Sequence, residues 1–468
     1  MRLWVFSFFF FVLFFVGSAS FANADYVYSV VDATGGNMVF GFSVNPTTGE
    51  LTLLDGFPIA TGFNGGGNTN LEHITFDPVN KFLFVANRGS SNISVYSVDQ
   101  STGALSIAPF SPISSVANQR TLKVHPSGSP LIVGADSFAS FVITPTSATP
   151  APGSPYSLPT GVSPAASAMS PDGTYYYAGG NSGSFFAGYS INAVTGEMTE
   201  LAGNPFDSGA GNPVPVDVDA TGRLWVFGSR QAVARVYTLS SGVPTAVTGS
   251  PFPYGDTGFA SVGKLHPNGN FLILPNRTRG YVVSAAISGT GASTTISTVA
   301  GSPFSTSGST SLALAYNTAG TFLYVVNGGS RNFTKFAVDP LTGVLSSATV
   351  QPQNTMGTAG SNSGIVYVPS AASSLPVSIG GRVLKANGTA VPMAQVSIEG
   401  PDGFAFTTFT NPFGHYLFEN VLSNRAYTIR VQSKLAQFAP AAITPTDNVT
   451  DFDIIESTTP VLNNSRWR

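Results

Sequence analysis

A short apolar strand pattern recurs along this chain at a nearly constant interval. The segment Phe82–Asn87 has similar counterparts farther along, and an earlier one follows residue 24. The aligned anchor residues lie 45 to 58 positions apart, and they are Val27, Val85, Val133, Ala178, Phe227, Leu274 and Val325. Repeats of this length, each built of short strands and turns, are typical of a β-propeller. The pattern therefore predicts seven blades around one central channel.

Each repeat reads as four short strands separated by turn residues. In the repeat that starts at Ile74, the first turn is Asp77-Pro78 and a later turn is Thr102-Gly103. Proline presets the φ angle of such a turn, and glycine accepts positive φ. The first repeat lacks its leading strand, and residues 364–369 resemble it. We expect this segment to complete blade one and close the ring, which would remove open sheet edges.

The N-terminal segment has the pattern of a secretory signal. Arg2 precedes the apolar run Leu3–Val16, and Ala22-Asn23-Ala24 is a small-x-small cleavage site. The run is short for a bilayer span, so we expect a secreted or periplasmic protein with no membrane span. The net charge of −3, from 20 Lys and Arg against 23 Asp and Glu, gives no reason to expect nucleic acid as a partner.

A second, smaller unit follows the repeats. Its residues form alternating strand patterns, which favour a small β-sandwich. The predicted fold class is all-β, a seven-bladed β-propeller plus a small C-terminal β-sandwich. The predicted boundaries are a signal peptide over 1–24, the propeller over 25–369, a linker over 370–376, the sandwich over 377–458 and a tail over 459–468.

The blade pattern resembles the lactonase family of seven-bladed propellers, which includes 6-phosphogluconolactonase-like proteins. The resemblance rests on the turn after the first strand, the Phe-Leu-Tyr-Val-x-Asn strand, the Thr-Gly-x-Leu turn and Gly-Ser-Pro-Phe, and it covers about residues 25–369. It implies lactone chemistry, with His and Arg at the starts of several inner strands. Only Leu71–Ile74 matches that expectation. The equivalent starts in other blades are Thr121, Ala166, Pro215, Val262 and Ala313.

The C-terminal unit resembles a carboxypeptidase regulatory-like domain. The matching residues include Gly381, Gly388, Pro392, Gly414 and Tyr416. That resemblance implies a module without catalytic activity of its own.

Aligning the blades groups charged residues into columns. Arg88, Asp136, Arg230 and Arg277 share one column, Lys123, Asp217 and Lys264 share a second, and Arg120 stands at the position of Glu72. One interpretation is an electropositive channel mouth that binds a carboxylate or phosphate. The other is that the inner-strand charges pair with one another as structural ions, because buried charges must be compensated.

His73 is the best single residue for a general base, since an ordinary imidazole titrates near neutral pH. Glu72 or Asp136 would orient it, and Glu72 is grouped with it as a catalytic residue. The alternative is a hydrogen-bonded structural histidine. The sequence predicts no metal and no cofactor: it has no Cys for a zinc cluster, and no calcium loop follows its paired aspartates.

These features favour an exported propeller that binds a small anionic or sugar-derived ligand at its channel mouth without catalysis. The alternative is an extracytoplasmic lactonase, in which His73 activates water while Arg88, Arg230 and Arg277 hold the acidic group of the substrate. A platform for a cell-surface protein is a third interpretation.

Overall fold

The computed structural model describes most of the chain, and its regular secondary structure is almost entirely β-strand. The described residues are 24–67, 72–180, 182–209, 211–255, 262–351, 361–370, 376–400, 405–423, 427–445 and 447–457. They fall into two compact units that divide between Ser370 and Ala371. The predicted tail and nearly all of the predicted signal peptide and linker lie outside the described residues.

Seven sheets of antiparallel strands make up the first unit, and each is one blade. Blade 1 contains β1 (Asp25–Asp32), β2 (Met38–Val44), β3 (Leu51–Leu53) and β4 (Ile59–Ala60). Blade 2 contains β5 (Ile74–Asp77), β6 (Phe82–Asn87), β7 (Asn92–Val98), β8 (Leu105–Ile107) and β9 (Ile113–Ser114). Blade 3 contains β10 (Thr121–Val124), β11 (Leu131–Gly134), β12 (Phe138–Thr144) and β13 (Ser147–Pro150).

Blades 4 to 7 repeat this plan. Blade 4 contains β14 (Pro164–Met169), β15 (Tyr175–Gly180), β16 (Phe185–Ile191), β17 (Met198–Glu200) and β18 (Phe206–Asp207), and blade 5 contains β19 (Pro213–Val218), β20 (Arg223–Gly228), β21 (Val233–Ser240), β22 (Val243–Ala246) and β23 (Phe252–Pro253). Blade 6 contains β24 (Lys264–Leu265), β25 (Phe271–Asn276), β26 (Tyr281–Ser288), β27 (Thr295–Thr298) and β28 (Phe304–Ser305). Blade 7 contains β29 (Ser311–Tyr316), β30 (Phe322–Asn327), β31 (Asn332–Val338) and β32 (Leu345–Gln351).

The last strand of the propeller closes the ring. This strand, β33 (Ser361–Val368), pairs antiparallel with β1, so that Tyr26 lies opposite Val368 and Ser29 opposite Ile365. Neighbouring blades then contact one another around the whole circle, through β33 and β5, β5 and β10, β10 and β14, β14 and β19, β19 and β24, β25 and β29, and β29 and β33. The predicted role of residues 364–369 is confirmed.

The recurring Ser-Pro segment is tied to the third strand of its own blade. The Ser250 hydroxyl accepts a hydrogen bond from the Val236 N–H at 3.2 Å, and the Ser302 hydroxyl accepts one from the Ser284 N–H at 3.0 Å. The phenylalanine after each proline starts β23 or β28, which pairs with the same third strand. The motif recurs because a side-chain oxygen satisfies a backbone donor that the sheet leaves unpaired.

Hydroxyl groups link neighbouring blades through the Thr-Gly turns. Tyr28 donates to the carbonyl of Gly103 at 2.7 Å, and Tyr324 donates to that of Gly49, also at 2.7 Å. Gly49 has a φ of +70°, a conformation that favours glycine. Large apolar side chains fill the space between blades, as in the core that contains Trp225, Phe227, Leu272 and Leu274. This burial supplies most of the stabilisation of the ring.

The second unit is a small β-sandwich. Its strands are β34 (Pro376–Leu384), β35 (Gln395–Glu399), β36 (Ala405–Phe409), β37 (His415–Leu422), β38 (Tyr427–Gln432), β39 (Ala441–Ile443) and β40 (Ile454–Ile455). They form two sheets, in the orders β37-β34-β40 and β36-β35-β38-β39. Ile379, Val396 and Ile429 pack in the core of this unit. The all-β class, a seven-bladed propeller with a C-terminal sandwich, is confirmed, whereas the regulatory-like assignment of the sandwich stays a prediction.

Candidate functional site

The direction of the strands distinguishes the two ends of the propeller. Inner strand β5 begins directly after Glu72 and His73, and β6 returns to the same end, where Arg88 follows it. We call this end the upper face. The turn that follows Asp77 lies at the opposite end, which we call the lower face. Because every blade repeats this strand order, equivalent residues lie at the same face in each blade.

Four charged residues belong to the inner strands or to the residues just before them. We call them the channel cluster, and they are Glu72, Lys123, Asp217 and Lys264. Glu72 Oε1 lies 3.4 Å from Lys123 Nζ. Glu72 Oε2 accepts hydrogen bonds from the Thr121 hydroxyl at 2.5 Å and from the Ser167 N–H at 2.8 Å. The carboxylate of blade 2 is therefore fixed by blades 3 and 4.

The surroundings shift the pKa of two members of the channel cluster. Burial raises the pKa of Asp217, and the positive charges of Lys264 and Lys123 oppose that rise. Desolvation lowers the pKa of Lys264, repulsion from Lys123 adds to this effect, and Asp217 and Glu72 oppose it. The Lys264 side chain remains exposed, so the nearby channel walls, rather than complete removal from solvent, explain its desolvation. A carboxylate with a raised pKa is a stronger base than an ordinary aspartate.

His73 is completely buried beneath the upper face. Its Nε2 lies 3.1 Å from the carbonyl oxygen of Gln119, and its Nδ1 lies 3.9 Å from Asp32 Oδ2. A carbonyl only accepts hydrogen bonds, so Nε2 carries the proton of the neutral ring. Desolvation lowers the pKa of His73, and Arg88 lowers it further, against the effects of Asp32 and the Gln119 carbonyl. The carboxylate beside His73 is Asp32, whereas Glu72 bonds to blades 3 and 4.

Two arginines and one aspartate are linked at the upper face. Arg120 Nη2 lies 3.6 Å from Asp136 Oδ1, and Asn118 donates to Asp136 Oδ2 at 2.5 Å. The same Asn118 accepts a hydrogen bond from Arg88 Nη2 at 3.5 Å. Burial lowers the pKa of Arg120, repulsion from Arg88 adds to that effect, and Asp136 opposes it. These contacts bring together the predicted residues of blades 2 and 3.

The other two predicted arginines lie on the far side of the ring. Arg230 follows β20 in blade 5, and Arg277 follows β25 in blade 6, and both are exposed. In a seven-membered ring, blades 5 and 6 are opposite blade 2. Burial of part of the Arg277 guanidinium lowers its pKa. Asn118 links Arg88 to the Asp136 carboxylate, which in turn contacts Arg120.

Sequence reasoning missed Asp32, the acidic neighbour of His73. The Gly66 N–H donates to Asp32 Oδ1 at 2.5 Å, and a Cβ atom on Gly65 would lie only 2.3 Å from the same oxygen. A Cβ atom on Gly66 would lie 2.7 Å from Arg88 Cδ. The glycine run is therefore required for close packing over Asp32 and Arg88. Consecutive glycines between strands are a sequence signal for such a close approach.

The described residues provide no preassembled metal centre, since no three His, Cys, Asp or Glu side chains among them are grouped closely enough to hold an ion. In the same part of the chain, no helix is long and apolar enough to cross a lipid bilayer.

Comparison with known proteins places the propeller in a structural class. The family model described as "Lactonase, 7-bladed beta-propeller" matches residues 19–149. A candidate 6-phosphogluconolactonase from Bacteroides fragilis superposes with a TM-score of 0.59 at 16% identity, covering 75% of this chain and 99% of the other. The periplasmic gluconolactonase of Pseudomonas aeruginosa gives a TM-score of 0.55 at 20% identity, covering 74% of this chain and 100% of the other.

A candidate 6-phosphogluconolactonase from Bacteroides uniformis gives a TM-score of 0.58 at 13% identity, covering 74% of this chain and 100% of the other. A search of curated proteins found no match. At these identities the similarity defines the fold alone. The first unit is therefore a propeller with a lactonase-like fold, and its activity must be argued from its own residues.

Proposed function

We propose that this protein hydrolyses a lactone ring inside its central channel, at the channel cluster. One observation carries the proposal: Asp217 and two lysines, Lys123 and Lys264, lie on inner strands of a lactonase-like propeller. The positive charges of Lys264 and Lys123 oppose the rise in the pKa of Asp217 that burial causes. A carboxylate beside ammonium groups supplies the two functions that ester hydrolysis requires, which are a base for water and a cation for the developing oxyanion.

In the proposed reaction, the Asp217 carboxylate takes a proton from water while the water oxygen attacks the lactone carbonyl carbon. The negative charge that develops on the carbonyl oxygen faces the ammonium group of Lys264 or Lys123. The tetrahedral intermediate then breaks the bond to the ring oxygen, which takes the proton from Asp217. One lactone and one water give one hydroxy acid, and at neutral pH this acid releases a proton to solvent.

The neighbouring residues support this arrangement as positioning groups. Glu72 holds Lys123 at 3.4 Å while Thr121 and Ser167 hold Glu72. We assign His73 a structural role, because its imidazole has no exposed surface and bonds to the Gln119 carbonyl. Arg88 and Arg120 at the upper face would attract a substrate that carries an acidic group. The substrate class that fits best is therefore the lactone of an acidic sugar derivative.

The first experiment measures ring opening of 6-phosphoglucono-δ-lactone, a sugar lactone that carries an acidic group, by the purified mature protein. Proton release is followed with a pH indicator, and the spontaneous rate is subtracted. Replacing the proposed base, Asp217→Asn, should lower kcat about 100-fold or more. Asp55→Asn is the matched control, because Asp55 is an exposed aspartate in blade 1, and it should leave kcat unchanged. His73→Asn should retain the rate per folded molecule, since the ring does not face the substrate.

Three results would overturn the proposal. A wild-type rate equal to the spontaneous rate, together with 6-phosphogluconate binding in a calorimetric titration, would instead establish a ligand-binding propeller without catalysis. Full activity in Asp217→Asn would show that the reaction does not take place at the channel cluster. Loss of activity in folded His73→Asn would show that it takes place at the upper face.

The N-terminal apolar run and its small-x-small site support a second part of the proposal, which is that the reaction takes place outside the cytoplasm. Recovery of the mature chain beginning at Asp25 from a periplasmic or culture fraction would test it.

A further inference from the structure

A cavity of about 570 Å³ opens on the lower face, between blades 5 and 6. Its walls come from three turns, which are Asp219–Thr221 after β19, His266–Asn270 after β24 and Ser288–Thr290 after β26. These turns lie at the end of the propeller opposite Arg88. The volume is within the range of pockets that bind small molecules. We call this cavity the lower groove.

The charges in the wall of the lower groove neutralise each other. Arg223 Nε lies 2.7 Å from Asp219 Oδ2, and both side chains are almost completely buried. Trp225 Nε1 donates to the same carboxylate oxygen at 3.0 Å. Arg223 Nη1 donates to the Gly289 carbonyl at 3.2 Å and to the Thr294 hydroxyl at 3.0 Å. These hydrogen bonds make the wall rigid, and the Asp219–Arg223 pair adds no net charge to it.

His266 is also held by protein partners. Its Nε2 lies 2.9 Å from the Gly320 carbonyl, and its Nδ1 accepts a hydrogen bond from the Asn268 N–H at 3.2 Å. Both ring nitrogens are occupied, so this histidine shapes the groove rather than offering a charge to a ligand. Asp217 also lines the groove, and the positive charges of Lys264 and Lys123 favour its ionised form.

The groups left for a ligand are hydroxyls, amides and apolar surfaces. The Arg223 guanidinium is held in the wall by its hydrogen bonds through Nε and Nη1. Thr221, Asn270 and Ser288 contribute further polar side chains. The apolar lining residues are Pro171, Val218, Ala220, Leu265, Pro267 and Ile287. An ionic ligand would lose its hydration without meeting an uncompensated opposite charge.

We propose that the lower groove binds an uncharged saccharide. Sugar hydroxyls both donate and accept hydrogen bonds, which matches the mixed polar lining, and the C–H faces of a sugar ring pack against apolar side chains such as Leu265 and Ile287. The inference does not depend on lactone hydrolysis, because the groove shares only Asp217 with the channel cluster. It assigns the lower face a ligand that is chemically different from the acidic lactone proposed for the channel.

Isothermal titration calorimetry of the full mature chain with maltotriose, cellotriose and N,N′,N″-triacetylchitotriose tests the proposal. Ser288→Trp places an indole in the groove and should weaken binding of the recognised trisaccharide about tenfold or more. Ser240→Trp is the matched control, because Ser240 ends β21 as Ser288 ends β26, and it lies outside the groove lining. The control should bind like the wild type.

Asn270→Ala serves as the second variant if Ser288→Trp fails to fold, and it should also weaken binding, since Asn270 lines the groove. Heat of binding that is reduced in the groove variants and unchanged in Ser240→Trp supports the inference. Absence of binding by all three trisaccharides overturns it. Binding that is equally strong in wild type and the groove variants also overturns it, because the sugar would then occupy another surface. None of these outcomes depends on whether the protein opens lactones.

Discussion

The proposed reactivity of the channel would depend on Asp217 and Lys264, which lie on the inner strands of blades 5 and 6. Burial disfavours both charges, whereas each residue stabilises the charge of the other. Structural ion pairs and catalytic sites both show this balance. The pH dependence of a measured rate separates them, because only a functional cluster makes catalysis follow these ionisations.

We expect a bell-shaped pH profile for lactone hydrolysis. It should be narrower than the profile of a site whose aspartate and lysine have ordinary pKa values. The base form of Asp217 is lost as pH falls through its raised pKa, and the ammonium of Lys264 is lost as pH rises through its lowered pKa. Lys264→Arg keeps a positive charge that does not titrate, so it should extend the alkaline limb. Initial rates corrected for spontaneous hydrolysis would show this. The exposed Lys434→Arg is the control, and an unchanged limb in Lys264→Arg would exclude Lys264 as the titrating group.

At the scale of elements, the Thr-Gly turns limit how closely neighbouring blades pack. Gly49 and Gly56 both have positive φ, at +70° and +80°. A Cβ atom on Gly49 would lie 2.6 Å from the Phe322 ring of blade 7, whereas nothing lies within 4 Å of one on Gly56. Replacing either glycine by alanine therefore strains the backbone, whereas only the alanine at Gly49 would also contact a neighbouring side chain.

We expect Gly49→Ala to lower the free energy of unfolding more than Gly56→Ala does. Backbone strain should cost about 1 kcal/mol in both variants, and the clash with Phe322 should add about 2 kcal/mol in Gly49→Ala alone. Chemical denaturation monitored by tryptophan fluorescence would measure the difference. Equal losses in the two variants would mean that the interface between blades 7 and 1 accommodates the extra methyl group.

For the whole molecule, ring closure depends on a few residues that are far apart in sequence. Asp25 Oδ1 accepts hydrogen bonds from the Ser370 N–H at 2.7 Å and from its hydroxyl at 3.0 Å, and Tyr367 donates to the same carboxylate. The first and last strands of the propeller are therefore joined within one sheet. Loss of β33 would leave β1 with an unpaired edge.

Two truncations test the importance of closure. A chain that ends at residue 370 keeps β33 and should show the thermal transition of the propeller at nearly the temperature seen in the full chain. A chain that ends at residue 351 lacks β33 and should melt at a lower temperature and form larger species. Calorimetry and size-exclusion chromatography would measure both effects. If the chain that ends at residue 351 were monomeric with unchanged melting, closure would contribute little.

The repeated strands and turns of this chain determine its blades, because strand alternation and turn chemistry act over a few neighbouring residues. The alignment of repeats also put Lys123, Asp217 and Lys264 in one column, and all three lie on inner strands. Gly364 and its neighbours were recognisable as the missing strand for the same reason.

Only the tertiary structure decided which side chains meet across blades. It brought Asp32 of blade 1 to His73 of blade 2, joined Glu72 to Ser167 two blades away, and formed the lower groove from the turns of blades 5 and 6. These contacts depend on the curvature of the closed ring and on the packing between blades. Both are properties of all seven sheets together, so no local stretch of sequence contains them.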